Sequence, residues 1–407
     1  MKKKIIIIIL IVIILIICSF FLLKKNHKKE EIILTNNFDV NLIKLVSQDN
    51  QDNYLISPYS IKIALNMLKE GANNNTYNEI DNALKNNKVN NISNQNIKIA
   101  NALFIKDKYQ DIILKDFTNT LKNNYNAEIL YDKYQTPDVI NNWVNKNTDK
   151  MIPKILDNID NNFVLGLANA IAIDVKWSYP FECDLTTKET FINKNNQKIN
   201  VEMMHQSYQT SDISYFENNN VKGIIIPYEK DTNLEFIGIL PNDINDYLKN
   251  LTKEDLTEFN NLKNASNDLH INLSLPRFKY EFNLLTFKDN LISLGIKDAF
   301  NSNNADFTKI ITKENMLKNN LNNLYVDEAI HKSYIDLNEK GTKAAAVTYF
   351  GLKANAMPMP NYDTIDIIFN KSFIYMIREK TTKEILFFGL VNTPNKWNGS
   401  TCSNFEN

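Results

Sequence analysis

Glycine is scarce, with 9 in 407 residues. That leaves little material for the Gly-rich loops that cradle phosphates, and neither GxxxxGKS/T nor GxGxxG occurs. The three cysteines, Cys18, Cys183 and Cys402, are widely spaced and make no CxxC or metal spacing. Free thiols are their plain reading, and a Cys183–Cys402 pair is the alternative. Of the four histidines, none has a metal-ligand partner at useful spacing. GxSxG and HExxH are missing too, so no enzyme class or cofactor is implied, although a triad can assemble in space from distant residues. A formal net charge of −1 argues against a general nucleic-acid binder. From Thr35 to about Pro394 no Pro/Ser-rich linker or internal repeat divides the chain.

Hydrophobic residues make up 43% of the chain and aromatics 11%, ample for a large core. The N-terminus is distinct. Lys2, Lys3 and Lys4 precede an apolar run from Ile5 to Leu23, broken only by Cys18 and Ser19, and Lys24, Lys25, Lys28 and Lys29 follow. As a helix this run is about 28 Å long, close to the hydrocarbon thickness of a bilayer. It is longer than a signal peptide's apolar region and lacks an A-x-A site, which favours an anchor in the membrane through residues 5–23 over a cleaved signal. A lipid-modified Cys18 is a third option. All three place the remainder outside the cell or at its surface. The organisation is then residues 1–34 as signal or anchor, 35–396 as one domain and 397–407 as a tail.

The spacing predicts helices first and strands later. Ser57-Pro58 reads as an N-cap and a first helical proline, with Ile61, Ala64, Leu65 and Leu68 on one face and Gly71 at the end. Thr76 with Glu79 reads as a capping box. Single strands are expected over Ile97–Ile105, Ala168–Trp177 and Ile271–Phe282. This order argues for a mixed α+β fold with large sheets. Between an alternating strand, Ala329 to Leu337, and two closing strands lies Glu339 to Met359. It is long enough for a functional loop, yet Thr342 to Lys353 lacks proline and alternates with a period of two. One set is Thr342, Ala344, Ala346, Thr348, Phe350 and Leu352, and the lysines fall in the other. The stretch is written as a loop that can become a strand.

Several separated motifs carry a resemblance. Asn53 to Ile61 (NYLISPYSI), Asn141-Asn142-Trp143-Val144, Ala168 to Phe181, Leu275-Pro276-Arg277-Phe278, Leu294-Gly295-Ile296, Ala305-Asp306-Phe307, His331-Lys332 through Thr342, and Phe387 to Val391 stand in one order. In that order and spacing the chain resembles the serpins over nearly all of residues 35–394. The resemblance implies three β-sheets, eight or nine helices and an exposed reactive-centre loop. It implies a suicide substrate for a serine or cysteine endopeptidase: a target protease cuts the loop, becomes acylated and is trapped as the loop inserts into the large sheet. A non-inhibitory binding or chaperone protein on the same fold is the alternative.

Site residues follow by resemblance. Glu339, Gly341, Thr342, Ala344, Ala345 and Ala346 match the family's loop hinge. Ser57, Ser60, Asn169 and His331 match its polar shutter, and Trp177 matches the breach where insertion starts. Counting from Gly341 places the reactive bond at Asn355–Ala356, with cleavage after Lys353 or Met357 as alternatives. The implied partner is a protease bound covalently to a monomer.

Overall fold

Asn37 turns the chain into its first helix. Its side chain accepts a hydrogen bond from the Val40 N–H, and α1 (Phe38–Asp49) buries Phe38, Leu42, Ile43 and Val46. The computed structural model describes residues 32–50, 52–84, 89, 92, 97–259, 269–342 and 363–397. Ser57 caps α2 (Pro58–Gly71) in the same way, with Pro58 in the first turn. α3 (Asn74–Leu84), α4 (Lys115–Tyr125) and α5 (Asp138–Asn147) follow, and nine α-helices stand among the described residues. The capping box expected at Thr76 and Glu79 is not formed. α3 starts earlier, at Asn74, and both side chains hold another part of the chain. Thr76 Oγ1 accepts the Asp306 N–H at 2.9 Å, and Glu79 Oε2 accepts from Lys297 and Asp298 at 2.8 and 2.6 Å.

The described strands form four sheets. A six-stranded antiparallel sheet has the order β1 (Tyr54–Ile56), β17 (Ile385–Val391), β16 (Phe373–Glu379), β10 (Leu234–Pro241), β9 (Val221–Pro227) and β8 (Ser214–Glu217). β10, β16 and β17 are buried at every position, which is why they read as unbroken apolar runs rather than alternating ones. A second sheet runs β15 (Thr364–Ile368), β11 (His270–Pro276), β7 (Lys198–Gln209) and β6 (Thr187–Ile192), with β15 parallel to β11. The remaining two are β3 (Glu128–Asp132), β2 (Ile97–Lys106), β4 (Leu165–Ile173), and β12 (Phe278–Asn283), β13 (Lys332–Asn338), β14 (Gly341–Thr342), β5 (Val175–Lys176).

Three sheets were expected, and the difference has a definite origin. β4 and β5 are one extended run interrupted at Asp174, so the last two sheets are continuous through the chain. β14 is wedged between β5 and β13, while among the described residues β4 and β13 are not paired. The large sheet is therefore parted along its middle. The single strand expected over Ile271–Phe282 is likewise two, broken at Arg277. α5 packs on this sheet through Trp143 and Val144, against Ala102 and Phe104 of β2 and Ala170 of β4. Residues from Thr35 onward form one compact unit. The apolar run expected to span or cross a membrane lies outside the described residues, among which no helix is long and apolar enough to do so.

Candidate functional site

Gly341 and Thr342 begin the chain's long loop, and the fold seats both of them inside a sheet. β14 is paired antiparallel on both sides. Thr342 faces Leu337 and Gly341 faces Asn338 on β13; Gly341 faces Lys176 and Thr342 faces Val175 on β5. Glycine is required at 341. Its φ is +150°, and a Cβ there would stand 2.1 Å from the Val175 carbonyl oxygen and 2.7 Å from Lys176 Cα. Gly341→Ala is expected to unpair β14 from β5 at a cost of about 2–3 kcal/mol. Hydrogen exchange should then quicken in peptides containing Val175 and Thr342; exchange at the wild-type rate would refute the fit.

The side chains around this turn form one buried cluster. Glu339 is 5% exposed and Arg277 3%. Arg277 Nε lies 2.8 Å from both Glu339 carboxylate oxygens, and Nη2 lies 2.6 Å from Oε1. Nη1 reaches Glu202 Oε2 at 3.3 Å, and the Thr186 hydroxyl also donates to Glu339. One guanidinium thus serves two carboxylates away from water, the setting in which losing a partner costs most. The break between β11 and β12 is what turns Arg277 inward. The chain has only two arginines, and the other, Arg378, is also buried, 2.7 Å from Glu235.

Trp177 closes the turn from the opposite side. Its indole Nε1–H donates to Asn338 O at 2.9 Å and its backbone N–H to Lys340 O at 3.0 Å. Its ring stacks on Tyr228 with centroids 4.5 Å apart. The Tyr228 hydroxyl in turn meets Thr342 Oγ1 at 2.6 Å. Burial pushes the Tyr228 phenol far above its usual range, so it stays protonated and neutral.

Beyond Thr342 the sheet gives way to a slit. Ile171 and Ile173 of β4 form one wall, Tyr334 and Asp336 of β13 the other, and Met151 and Ile152 from the segment after α5 also line it. It is about 10 Å³ in volume, room for one water molecule at most. The covering segment is tied to both halves of the sheet: Asp149 pairs with Lys98 of β2 at 2.6 Å, and Lys154 O accepts from Lys332 Nζ at 2.8 Å.

A polar relay also joins the two sides. His331, just before β13, accepts the Ser57 N–H on Nε2 at 3.0 Å. Ser57 Oγ accepts the Ser60 N–H at 3.2 Å, and the Ser60 hydroxyl donates to Asn169 Oδ1 on β4. Asn169 Nδ2 donates to Asn101 Oδ1 of β2 at 2.8 Å, and Asn101 Nδ2 to Tyr125 O at 2.7 Å. The relay crosses from β13 to β4 and β2 through the first turn of α2.

It requires a neutral imidazole at 331, because a protonated ring has no lone pair to accept with. Burial pushes His331 down to about 4 from its usual 6.5. Above pH 6.5 the ring is neutral folded or unfolded, and its contribution is complete. As the pH falls toward 4, the unfolded chain takes up a proton that the folded chain refuses. Stability should drop by roughly 1.4 kcal/mol per pH unit, about 3 kcal/mol in all. Urea unfolding at pH 7 and 4.5 checks this, since His331→Gln should flatten the slope. An unchanged slope in that variant would assign the pH dependence to other groups.

A family model described as Serpin (serine protease inhibitor) matches residues 34–394. The chain is a serpin. It is 30% identical to the leukocyte elastase inhibitor of Xenopus tropicalis over 88% of this chain and 98% of that protein. It is also 30% identical to a serpin-like protein of Methanosarcina mazei, covering 84% and 82% of the two chains. The crystal structure of the thermophilic serpin tengpin in the native state superposes with a TM-score of 0.74 and 31% identity, over 88% of this chain and 93% of that one. As a serpin it is a protease inhibitor rather than an enzyme.

Within this serpin the structure brings Ser57, Ser60, Asn169 and His331 into one hydrogen-bonded chain, and Glu339, Gly341, Thr342 and Trp177 into one turn. Ala344, Ala345, Ala346, Lys353, Asn355, Ala356 and Met357 lie outside the described residues. Five members of these sites had no assigned role in the sequence reading: Asn101, Thr186, Glu202, Tyr228 and Arg277. Arg277 carries a visible signal, as one of two arginines in a lysine-rich chain, placed directly after a proline in a strand. Cys183 overturns the plain reading of free thiols. It is disulfide-bonded, and its partner lies outside the described residues.

Proposed function

We propose that the chain inhibits an endopeptidase as a suicide substrate, and that the loop after Thr342 supplies the bait. The observation that carries this is β14. The first loop residues are already paired between β5 and β13, and the slit beyond them runs on between β4 and β13, which are not paired with each other among the described residues. Cleavage frees the loop to continue as a strand. Twelve to fifteen residues at about 3.3 Å each extend some 40–50 Å, enough to carry an acylated protease far from the loop's original position. The uncut protein is then a kinetic trap, held by the relay and the covering segment until cleavage.

The target is a serine or cysteine endopeptidase, and the reactive bond is Asn355–Ala356, with Lys353 and Met357 as alternative cleavage positions. The inhibitor acts as a monomer, without cofactor, outside the cell or anchored through residues 5–23. The disulfide at Cys183 favours such an oxidising location.

A protease panel tests the reading. At least one enzyme should give a complex that survives boiling in SDS, and mass spectrometry of the released C-terminal peptide should read the bond. No complex with any enzyme, and no rise in thermal stability after loop cleavage, would leave a non-inhibitory binding protein on this fold.

A further inference from the structure

Three strands of the second sheet bring a serine, a histidine and a glutamate into line. Ser274 of β11 and His205 of β7 are register partners, and Ser274 Oγ lies 3.0 Å from His205 Nδ1. On the other side of the ring, Nε2 lies 3.0 Å from Glu189 Oε1 and 3.1 Å from the Thr187 hydroxyl, both on β6. An ionised carboxylate only accepts, so in the neutral ring Nε2 carries the proton. Nδ1 then keeps its lone pair and accepts the Ser274 O–H. We propose that Ser274 is an acyl-accepting nucleophile, with His205 as its base and Glu189 as the residue that positions the ring, and that it takes small esters with a good leaving group. The site shares no residue with the hinge seat or the polar relay, and it goes beyond the inhibitory reading.

The order nucleophile, base, orienting carboxylate is the one that activates a hydroxyl. The group is also within reach of solvent: the His205 and Glu189 side chains are 28% and 37% exposed, and Ser274 is half-buried. In the reaction Ser274 Oγ bonds to the acyl carbon as its proton passes to His205 Nδ1. Glu189 stabilises the imidazolium through the Nε2–H. The carbon–oxygen bond to the leaving group then breaks, the electron pair departs with that oxygen, and His205 returns the proton to it.

The place of Ser274 in the fold sets the substrate class. It sits inside β11, paired with β7 on one side and β15 on the other. Backbone N–H groups in such a ladder are engaged by the neighbouring strands. An oxyanion hole of backbone donors is therefore not built around Ser274 among the described residues, and one such donor is worth about a hundred- to a thousandfold in rate. Amides, which expel a poor leaving group, need that help. Esters that release a stable phenolate react without it.

The full chain is treated with p-nitrophenyl acetate, and the acetyl groups are located by peptide mass spectrometry. Ser207 is the internal control, exposed on the same face of β7 two positions from His205. Ser274 should be acetylated at least tenfold faster than Ser207. His205→Gln, with folding verified by urea unfolding, should slow Ser274 labelling by about a hundredfold, the scale of a lost general base. Ser274 labelled no faster than Ser207, or at an unchanged rate in the folded variant, overturns the proposal. Nitrogen-15 NMR of the wild-type imidazole reads the tautomer without any substitution: the proton should sit on Nε2, and a proton on Nδ1 overturns the assignment of the base. Glu189→Ala should mix the two tautomers and slow labelling about tenfold, whereas an unchanged tautomer and rate would remove Glu189 from the site. p-Nitroacetanilide, the amide counterpart, should leave Ser274 unlabelled, and labelling at a comparable rate would overturn the substrate class.

Discussion

Glu339→Lys should empty the hinge seat and cost the top of the sheet about 3–5 kcal/mol. The wild-type carboxylate takes three close contacts from Arg277 and one from Thr186 in a site that is 5% exposed. Lysine at this position removes every acceptor and sets an ammonium beside a guanidinium. Glu202, 3.3 Å from Nη1, cannot neutralise both. The local solution is to move residue 339 into solvent, which pulls Gly341 and Thr342 out of β14. The facing edges of β13 and β5 then carry unpaired N–H and C=O groups, a template for another strand. The expected results are a lower thermal midpoint and concentration-dependent self-association on warming, followed by light scattering. Glu339→Gln, neutral and of the same shape, should lose much less. Equal loss in both variants would show that shape rather than charge holds the hinge.

Much of this site was legible because its residues do local as well as distant work. Ser57 is read as an N-cap from Ser-Pro alone, and it is one. Gly341 follows from pattern, and its φ of +150° supplies the reason. The parted sheet was not legible. β4 and β13 have patterns suited to a half-buried sheet, and such a pattern is the same whether a strand's neighbour is its final partner or a gap awaiting one. The four-sheet arrangement therefore comes from pairing, which a period of two cannot encode. Thr76 and Glu79 show the opposite failure. Their spacing satisfies a local rule, yet Asp306, Lys297 and Asp298, more than 200 positions away, take both side chains. Arg277 was visible as a motif letter, but its role needed Glu202 and Glu339, which only the folded chain brings to it.

Thr342→Arg should turn the inhibitor into a substrate. The wild-type side chain is 3% exposed, and its hydroxyl meets the Tyr228 phenol at 2.6 Å. Arginine cannot be deprotonated there, and its charge finds the neutral, protonated phenol in place of an acid. Seating it would bury an unpaired charge, so it stays out and β14 does not form. Loop cleavage itself should continue, because the bait lies many residues downstream. What changes is the race after acylation, between insertion and hydrolysis of the acyl-enzyme. If the misplaced charge adds about 3 kcal/mol to the insertion barrier, insertion slows by roughly a hundredfold. Hydrolysis then wins in nearly every turnover. The measurement is a titration of protease against inhibitor, read on SDS gels. Wild type should run mainly to complex, and the variant to cleaved chain and active enzyme. Thr342→Ser, which keeps the hydroxyl and adds no charge, should behave as wild type. Retained inhibition by Thr342→Arg would mean that the place of residue 342 in β14 is not needed for trapping, and that insertion proceeds from further along the loop.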